Sequence, residues 1–315
     1  MTLYLGQPWP VLAVLAIVYG ILIIATIVVG LIARRRGAEA TQELSARVRS
    51  WWWIVSLFTV TILIGRGMAV TFLGFISFLA LKEFLSLVPT RRVDRTTLLW
   101  VYLAVPVQFY LAYINRYGLF IVFIPVWMFL FVSMTMALRG ETEGFLRAVG
   151  IVSWGMMMTV FTLSHMAYLL VSGDRQNAVA GGAGLLCFLL FTTQFNDVAQ
   201  FFWGKLFGRH RIVPKVSPKK TWEGFLGGLL TTTALAAITG PMLTPMSHLW
   251  SLAAGAMLAT AGFVGDVTMS AVKRDLGIKD SGSMIPGHGG ILDRVDSLTY
   301  AVPVFAHAYR YFFYS

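Results

Sequence analysis

Five of the 14 acidic residues of the chain lie within one short stretch, residues 266–296. Asp293 and Asp296 are three positions apart, so a helix would place both carboxylates on one face. Asp266 lies near the end of an apolar segment, where a buried carboxylate without a partner is costly. Converging carboxylates repel one another unless a cation lies between them, and Mg²⁺ prefers carboxylate oxygens combined with substrate phosphates. We therefore predict that Asp266, Asp293 and Asp296 hold Mg²⁺, and a second cation is compatible with this set. The alternative is that Asp293 and Asp296 form ordinary surface ion pairs with Arg294.

A glycine-rich loop, Pro286-Gly287-His288-Gly289-Gly290, directly precedes this pair of aspartates. Glycines permit positive φ angles and close approach of the backbone, and the amides of such a turn can bind an anion. The histidine could orient a phosphate or donate a proton, or it could only cap or pack. The loop could also do no more than join two helices. The residues of this loop that we predict to bind substrate are Gly287, His288, Gly289 and Gly290.

A second polar segment, Ser217-Pro218-Lys219-Lys220-Thr221, directly precedes an apolar run. Phosphates bind at helix N-termini, and lysines add positive charge there. The alternative is an ordinary basic flank with a helix cap. Asp197 lies near the end of another apolar segment, at the same depth as Asp266. An acid in that position is by default a candidate for function.

The composition of the chain indicates what kind of secondary structure holds these residues in place. Hydrophobic residues make up 57% of the 315 residues and charged residues only 12%, about half the usual share in soluble domains. This excludes a disordered chain and an ordinary soluble enzyme, and it predicts an all-α polytopic membrane protein with nine or ten transmembrane helices. The candidate spans are 11–33, 51–65, 67–88, 97–115, 117–138, 149–171, 179–203, 225–246, 249–271 and 298–313.

The basic residues predict how the spans are oriented. The chain carries 25 Lys and Arg against 14 acidic residues, for a net charge of +11. With the N-terminus placed outside, nearly all basic residues fall in loops on one side, which the positive-inside rule assigns to the cytoplasm. We therefore predict a cytoplasmic active site, with the basic residues facing lipid headgroups or phosphates rather than nucleic acid. The basic residues left on the other side are Arg66, Arg116, Arg175 and Arg310.

The chain changes character near residue 190. Before it, the apolar spans carry few ionisable residues; after it come two long polar segments, 204–224 and 272–297. We therefore divide the chain into N-terminal transmembrane helices, residues 1–190, and a C-terminal catalytic transmembrane region, residues 191–315.

Four short segments of the chain together resemble the signature of the phosphatidate cytidylyltransferase (CDP-diacylglycerol synthase) family. The similarity extends over roughly residues 190–300, and Glu83 near the end of the third span is a further similarity. The segments are Ser217-Pro218-Lys219-Lys220-Thr221-Trp222-Glu223-Gly224-Phe225, Ser270-Ala271-Val272-Lys273-Arg274, Lys279-Asp280-Ser281-Gly282 and Pro286-Gly287-His288-Gly289-Gly290-Ile291-Leu292-Asp293-Arg294-Val295-Asp296.

The resemblance implies a reaction in which CTP and phosphatidic acid give CDP-diacylglycerol and pyrophosphate, with a divalent metal. The lipid phosphate would be the nucleophile, so the protein needs only to align two anions and neutralise their charge. The implied partners are CTP, phosphatidic acid and membrane lipids, and the chain could form a homodimer. By analogy, the catalytic residues are Asp266, Asp293, Asp296 and Lys273. Outside the glycine-rich loop, those expected to bind substrate are Ser217, Lys219, Lys220, Asp197, Ser270, Arg274 and Arg294.

Two positions depart from the family pattern. Met269 stands where the family usually has a glutamate, and Val198-Ala199-Gln200 follows Asp197 where the family tends to have Ala-Tyr or a similar pair. A divergent relative that uses another lipid phosphate is therefore one alternative, and a CTP-dependent polyprenol kinase is another. A transporter or lipid-binding protein is the non-enzymatic alternative, although transporters place their polar residues at the membrane midplane.

Overall fold

The computed structural model describes residues 3–37, 41–282 and 289–314. A short hairpin of β1 (Leu3–Tyr4) and β2 (Gln7–Pro8) precedes the helices. The helices are α1 (Trp9–Arg36), α2 (Gln42–Ile64), α3 (Arg66–Leu87), α4 (Arg95–Tyr113), α5 (Tyr117–Ala137), α6 (Phe145–Gln176), α7 (Gly181–Phe207), α8 (Trp222–Leu243), α9 (His248–Asp275), α10 (Leu292–Val295) and α11 (Leu298–Phe313). The prediction of an all-α polytopic membrane protein is confirmed.

Nine helices in the described ranges are long and apolar enough to cross a membrane, α4 being counted with the 3₁₀ turn before it. The tenth predicted span, 298–313, coincides with α11, which has only 16 residues. Its path nevertheless follows α9 closely. Gly265 of α9 packs on the backbone of Ser297 just before α11 begins, and the ring of Trp250 lies 5.7 Å from that of Phe313 at its end. The short helix is therefore antiparallel to α9 along most of its length.

Two of the long helices contain a π-helical segment. In α5 this segment is Phe123–Met128, and it includes Pro125, whose ring has no amide hydrogen to donate. In α6 it is Met157–Phe161. A π segment widens the helix locally and re-aims the side chains that follow. The predicted span 149–171 lies wholly inside α6, which is longer at both ends.

The helices around the predicted site pack closely through small residues. A Cβ atom on Gly228 of α8 would lie 2.3 Å from Cγ of Gln200 on α7, and one on Gly255 of α9 would lie 2.5 Å from Cβ of Ala236 on α8. Small residues let membrane helices approach through their backbones. Helices α7, α8 and α9 therefore form a tight group that fixes the positions of the acidic residues near the ends of α7 and α9.

Hydrogen bonds identify the two ends of the bundle. At one end, Ser297 before α11 bonds to Asp197 in the second half of α7. At the other end, Tyr314 after α11 bonds to Ser172 near the end of α6. The polar segments singled out from the sequence lie at the first end, which we call the carboxylate end.

Candidate active site

Three carboxylates meet at the carboxylate end: Asp197 of α7, Asp266 of α9 and Asp296 between α10 and α11. Burial raises the pKa of Asp296, and the negative charges of Asp266 and Asp197 raise it further. The Ser297 hydroxyl donates to Oδ2 of Asp197 at 2.9 Å. The fold therefore brings together acids that repel one another, an arrangement that a bound cation would stabilise.

Lysine and hydroxyl groups neutralise only part of this charge. Lys220 Nζ lies 2.5 Å from Oδ2 of Asp266, and Ser270 donates to Oδ1 of the same carboxylate at 3.3 Å. Lys220 also donates to Oε1 of Gln200 at 3.4 Å. By contrast, Oδ1 of Asp197 is buried and has no hydrogen-bond partner among the described residues. An unpaired buried carboxylate oxygen is costly, so this atom is an open position for a cation or a donor.

Asp293 has a different environment. Lys273 Nζ donates to its Oδ1 at 2.7 Å. Its Oδ2 accepts bonds from the amide and hydroxyl of Ser281, both at 2.9 Å, and from the Gly290 amide at 3.1 Å. Burial opposes ionisation of Asp293, but Lys273 and the two amides outweigh it and lower its pKa. Oδ2 of Asp293 therefore already holds Ser281 and Gly290 in the segment between α9 and α10, while Oδ1 is paired with Lys273 of α9.

The structure thus separates two aspartates that the sequence placed on one helical face. Helix α10 has only four residues, and Asp296 follows its last turn. Asp293 is directed to Lys273, whereas Asp296 lies near Asp266 and Asp197, where the charge of Lys273 also acts on it. The metal role of Asp266, Asp293 and Asp296 remains a prediction, and the geometry favours Asp197 over Asp293 as the third member.

In residues 3–37, 41–282 and 289–314, no three His, Cys, Asp or Glu side chains are close enough to form a complete metal site by themselves. Mg²⁺ usually takes one or two carboxylates and completes its shell with water and substrate phosphates. The acid cluster, with one unpaired buried oxygen on Asp197, fits that requirement. One or two of Asp197, Asp266 and Asp296 would therefore hold the ion, together with water and substrate phosphates.

The lysine-rich segment is folded into a closed loop beside the acids. Glu223, in the first turn of α8, accepts bonds from the amides of Arg209 at 3.0 Å and His210 at 3.2 Å. The Thr221 hydroxyl caps α8 by accepting a bond from the Gly224 amide at 3.2 Å. Lys220, which ends this loop, is thereby directed onto Asp266. The predicted helix N-terminus and cap are both present.

The other predicted substrate-binding residues surround this loop. Lys219 is exposed and Ser217 is half-buried. Arg274 donates from Nε to the Val216 carbonyl at 3.2 Å, which ties the lysine-rich loop to α9. Nε of Arg294 is buried and has no partner in the described part of the chain. Gly289 has a φ of +79°, as its glycine identity allows. Gly287 and His288 lie outside the described residues.

One residue to which sequence reasoning gave no role contacts the site directly. Glu83 of α3 accepts a hydrogen bond at Oε2 from the Ile291 amide at 2.8 Å and is only 7% exposed. Its Oε1 lies 3.4 Å from the Leu292 amide, and a Cβ on Gly290 would overlap it. The available signal was an acid inside an apolar span.

A known protein family matches most of the chain. The sequence pattern of the cytidylyltransferase family matches residues 45–312. The chain belongs to the cytidylyltransferase family. Membership supports a CTP-using transferase embedded in the membrane, as the resemblance in the signature segments implied.

The relatives differ in how much of the chain they match. "Uncharacterized protein YnbB" of Escherichia coli K12 is 44% identical over 297 residues, which are 94% of this chain and 97% of that protein. The phosphatidate cytidylyltransferase of Haemophilus influenzae is 40% identical over 137 residues, 42% of this chain and 47% of that enzyme. The corresponding enzyme of Pseudomonas aeruginosa is 42% identical over 125 residues, 39% of this chain and 46% of that enzyme. The alignments with these two enzymes therefore cover less than half of this chain and less than half of each enzyme.

Met269, one of the departures from the family pattern, has a definite environment. Its side chain is 2% exposed and lines a small cavity beside Lys273 and Asp293. The cavity wall also includes Phe84 and Leu292. The methionine therefore supplies apolar packing under the Lys273–Asp293 pair at this position.

Proposed function

We propose that the protein transfers CMP from CTP to phosphatidic acid, giving CDP-diacylglycerol and pyrophosphate. The observation that carries this proposal is the convergence of Asp197, Asp266 and Asp296 beside Lys220 and Lys273 at one end of the bundle. Such a mixed cluster suits two phosphate-bearing substrates and a cation. Family membership supports the use of CTP, and the signature segments support the lipid phosphate.

The chemistry needs no nucleophilic side chain. An oxygen of the lipid phosphate attacks the α-phosphorus of CTP, a new P–O bond forms, and the bond between the α-phosphorus and the bridging oxygen breaks. Pyrophosphate leaves with that electron pair. The protein must hold the two anions in line and offset their charge, as in other phosphoryl-type transfers.

The basic residues of the site differ in whether they are already paired with a carboxylate. Lys220 and Lys273 are paired with Asp266 and Asp293 before substrate binds, so their ammonium groups are held at the site. Lys219 and Arg294 form no salt bridge within the described part of the chain, and we assign them to substrate phosphates. Bound Mg²⁺ would neutralise phosphate charge and make the α-phosphorus more electrophilic.

The distribution of basic residues supports a cytoplasmic site with the N-terminus outside. The lysine-rich loop and the polar segment after α9 both lie at the carboxylate end. Their Lys and Arg residues are the ones that the positive-inside rule places in the cytoplasm. CTP is a soluble nucleotide, so this orientation gives it direct access.

A second candidate is transfer of CMP to a different lipid phosphate. The relative that aligns over most of the chain carries no activity in its name, whereas the phosphatidate enzymes align over less than half of it. More than half of the chain is therefore outside each of those alignments, and helices there could contact the lipid's hydrocarbon chains. The acidic and basic residues of the site serve either acceptor equally well.

An acceptor panel distinguishes these possibilities. Purified protein in nanodiscs receives Mg²⁺ and CTP labelled at either the α- or the γ-phosphate, with phosphatidic acid, a polyprenyl phosphate or a polyprenol. We expect the α label to enter the phosphatidic acid product with release of one pyrophosphate per lipid. Transfer of the α label only to the polyprenyl phosphate would establish the second candidate. Transfer of the γ label, or no transfer at all, would overturn both.

A further inference from the structure

A groove of about 370 Å³ opens between α1 and α2, away from the acid cluster. Thr26 and Gly30 of α1 form one wall, and Ser45, Arg49 and Trp52 of α2 form the other. The groove lies near the end of α1 and the start of α2, which adjoin because Gln7, just before α1, bonds to the Ile62 carbonyl near the end of α2. Helix α3 begins directly after α2 and contacts Ile291 through Glu83 near its far end, so the start of α2 and the groove lie toward the carboxylate end.

Specific contacts hold the two walls together. Trp52 donates from its indole nitrogen to the Thr26 hydroxyl at 3.0 Å, and its ring lies 5.7 Å from that of Tyr19. The space beside this contact is open because Gly30 has no side chain, and a Cβ there would meet nothing within 4 Å. The lining of the groove is mainly apolar, as binding of a hydrocarbon chain requires.

The groove also carries positive charge. Arg49 lines it, is exposed, and makes no salt bridge within the described part of the chain. Arg47, on the same helix but outside the groove, pairs with Glu43. An unpaired arginine next to an apolar groove at a membrane surface matches a lipid phosphate above an acyl chain.

The groove is separate from the proposed transfer site. The family match begins at residue 45, so the α1 wall lies outside it and the α2 wall lies inside it. The acid cluster is built from α7, α9 and the α10–α11 junction instead. The lining of the groove therefore shares no residue with the acid cluster.

We propose that this groove binds one anionic glycerophospholipid of the bilayer, with its phosphate at Arg49 and an acyl chain between α1 and α2. The occupant is a bilayer lipid because the groove opens between two membrane-spanning helices whose other faces are mostly exposed. The anionic class follows from Arg49, which forms no salt bridge with any described residue, and from the absence of a carboxylate among the described residues that line the groove.

Native mass spectrometry of the full chain tests this binding. Protein purified in detergent is titrated with phosphatidylglycerol or phosphatidylcholine of matched chains. Phosphatidylglycerol is the probe because its phosphodiester cannot serve as the nucleophile at the proposed transfer site. We expect one phosphatidylglycerol to be retained in preference to phosphatidylcholine. Arg49→Ala should weaken that retention about fivefold, the effect of one basic residue near anionic lipid.

Two matched variants make the result specific. Arg47→Ala removes a charge from the same helix outside the groove, so this variant should retain phosphatidylglycerol as well as the wild type does. Gly30→Leu fills the groove and should abolish the retained lipid, whereas Gly20→Leu adds the same side chain to α1 in open space elsewhere. Equal retention by the wild type, Arg49→Ala and Gly30→Leu would overturn the proposal. So would equal losses in Arg47→Ala and Arg49→Ala. None of these readouts requires CTP turnover.

Discussion

Glu83 and Ile291 are 208 positions apart, yet the carboxylate of Glu83 accepts the amide hydrogen of Ile291 at 2.8 Å. This bond joins α3, in the first half of the chain, to the start of α10, which carries Asp293. Asp293 in turn holds Ser281 and Gly290. A buried carboxylate from the N-terminal helices therefore fixes the segment that leads into the acid cluster.

Replacing this carboxylate tests its positioning role. Glu83→Gln keeps the shape of the side chain but removes the charge that receives the backbone amides. A hydrogen bond to a charged group contributes about 1.5–3 kcal/mol, so we expect kcat/KM for CTP to fall about tenfold or more. The measurement is steady-state CMP transfer in nanodiscs, with binding of CTP measured separately.

Glu143→Gln is the matched control, because Glu143 is exposed in the loop before α6. It should keep wild-type kinetics. Glu83 is a positioning residue, so kcat should fall more than CTP affinity. If Glu83→Gln turned over CTP like Glu143→Gln, the alignment of α10 would not depend on Glu83.

A glycine next to the acid cluster gives a second prediction. A Cβ on Gly265 would lie 2.5 Å from the Asp296 carbonyl oxygen, so Gly265→Ala must move the backbone that carries Asp296. A displacement of about 1 Å at a catalytic group can cost about 100-fold in rate, and we expect a loss of this size. The measurement is CMP transfer by protein that still inserts and elutes as a single species.

Gly262 on the same helix provides the comparison. A Cβ there would lie 3.5 Å from Thr193 and 3.6 Å from Ser297, which are ordinary contacts. Gly262→Ala should therefore remain close to wild type. Equal activity of the two alanine variants would show that the position of Asp296 is unimportant for turnover.

The Lys273–Asp293 pair gives a third prediction, concerning stability. Both side chains are largely buried, with 14% and 7% exposure. Removing one partner of a buried pair typically costs about 3–5 kcal/mol because it leaves an uncompensated charge. Asp293→Asn should therefore lower the thermal unfolding temperature in detergent and abolish CMP transfer.

The double variant separates stability from activity. Lys273→Met combined with Asp293→Asn removes the stranded charge, so unfolding temperature should recover partly while activity stays absent. Additive losses of stability in the double variant would contradict a direct pairing of the two side chains.

The helices could be predicted from the sequence because they depend on local patterns, whereas the catalytic role of the polar segments stays a prediction. Apolar runs long enough to span a membrane identify their helices directly. The boundaries were less exact for α6, where the π segment joins two helical stretches into one span. The capped start of α8 could also be predicted, since a threonine directly before a helix is a local signal.

The grouping of the acids could not be predicted in the same way. The spacing of Asp293 and Asp296 suggested one face, but α10 is only four residues long and directs the two side chains differently. Asp197 joined the cluster through the packing of α7 against α9, and Glu83 through that of α3 against α10. Such contacts depend on tertiary structure, which residue spacing does not encode.

The proposed transfer of CMP from CTP to phosphatidic acid depends on the acid cluster. Its most direct test is Mg²⁺-dependent formation of labelled CDP-diacylglycerol by Asp266→Asn and by Asp275→Asn, two variants of α9. Asp275 is exposed at the end of the helix, whereas Asp266 is paired with Lys220 inside the cluster. We expect product at background level for Asp266→Asn and at wild-type level for Asp275→Asn, with both variants inserted and eluting as single species. Wild-type product formation by Asp266→Asn would contradict this dependence on the acid cluster.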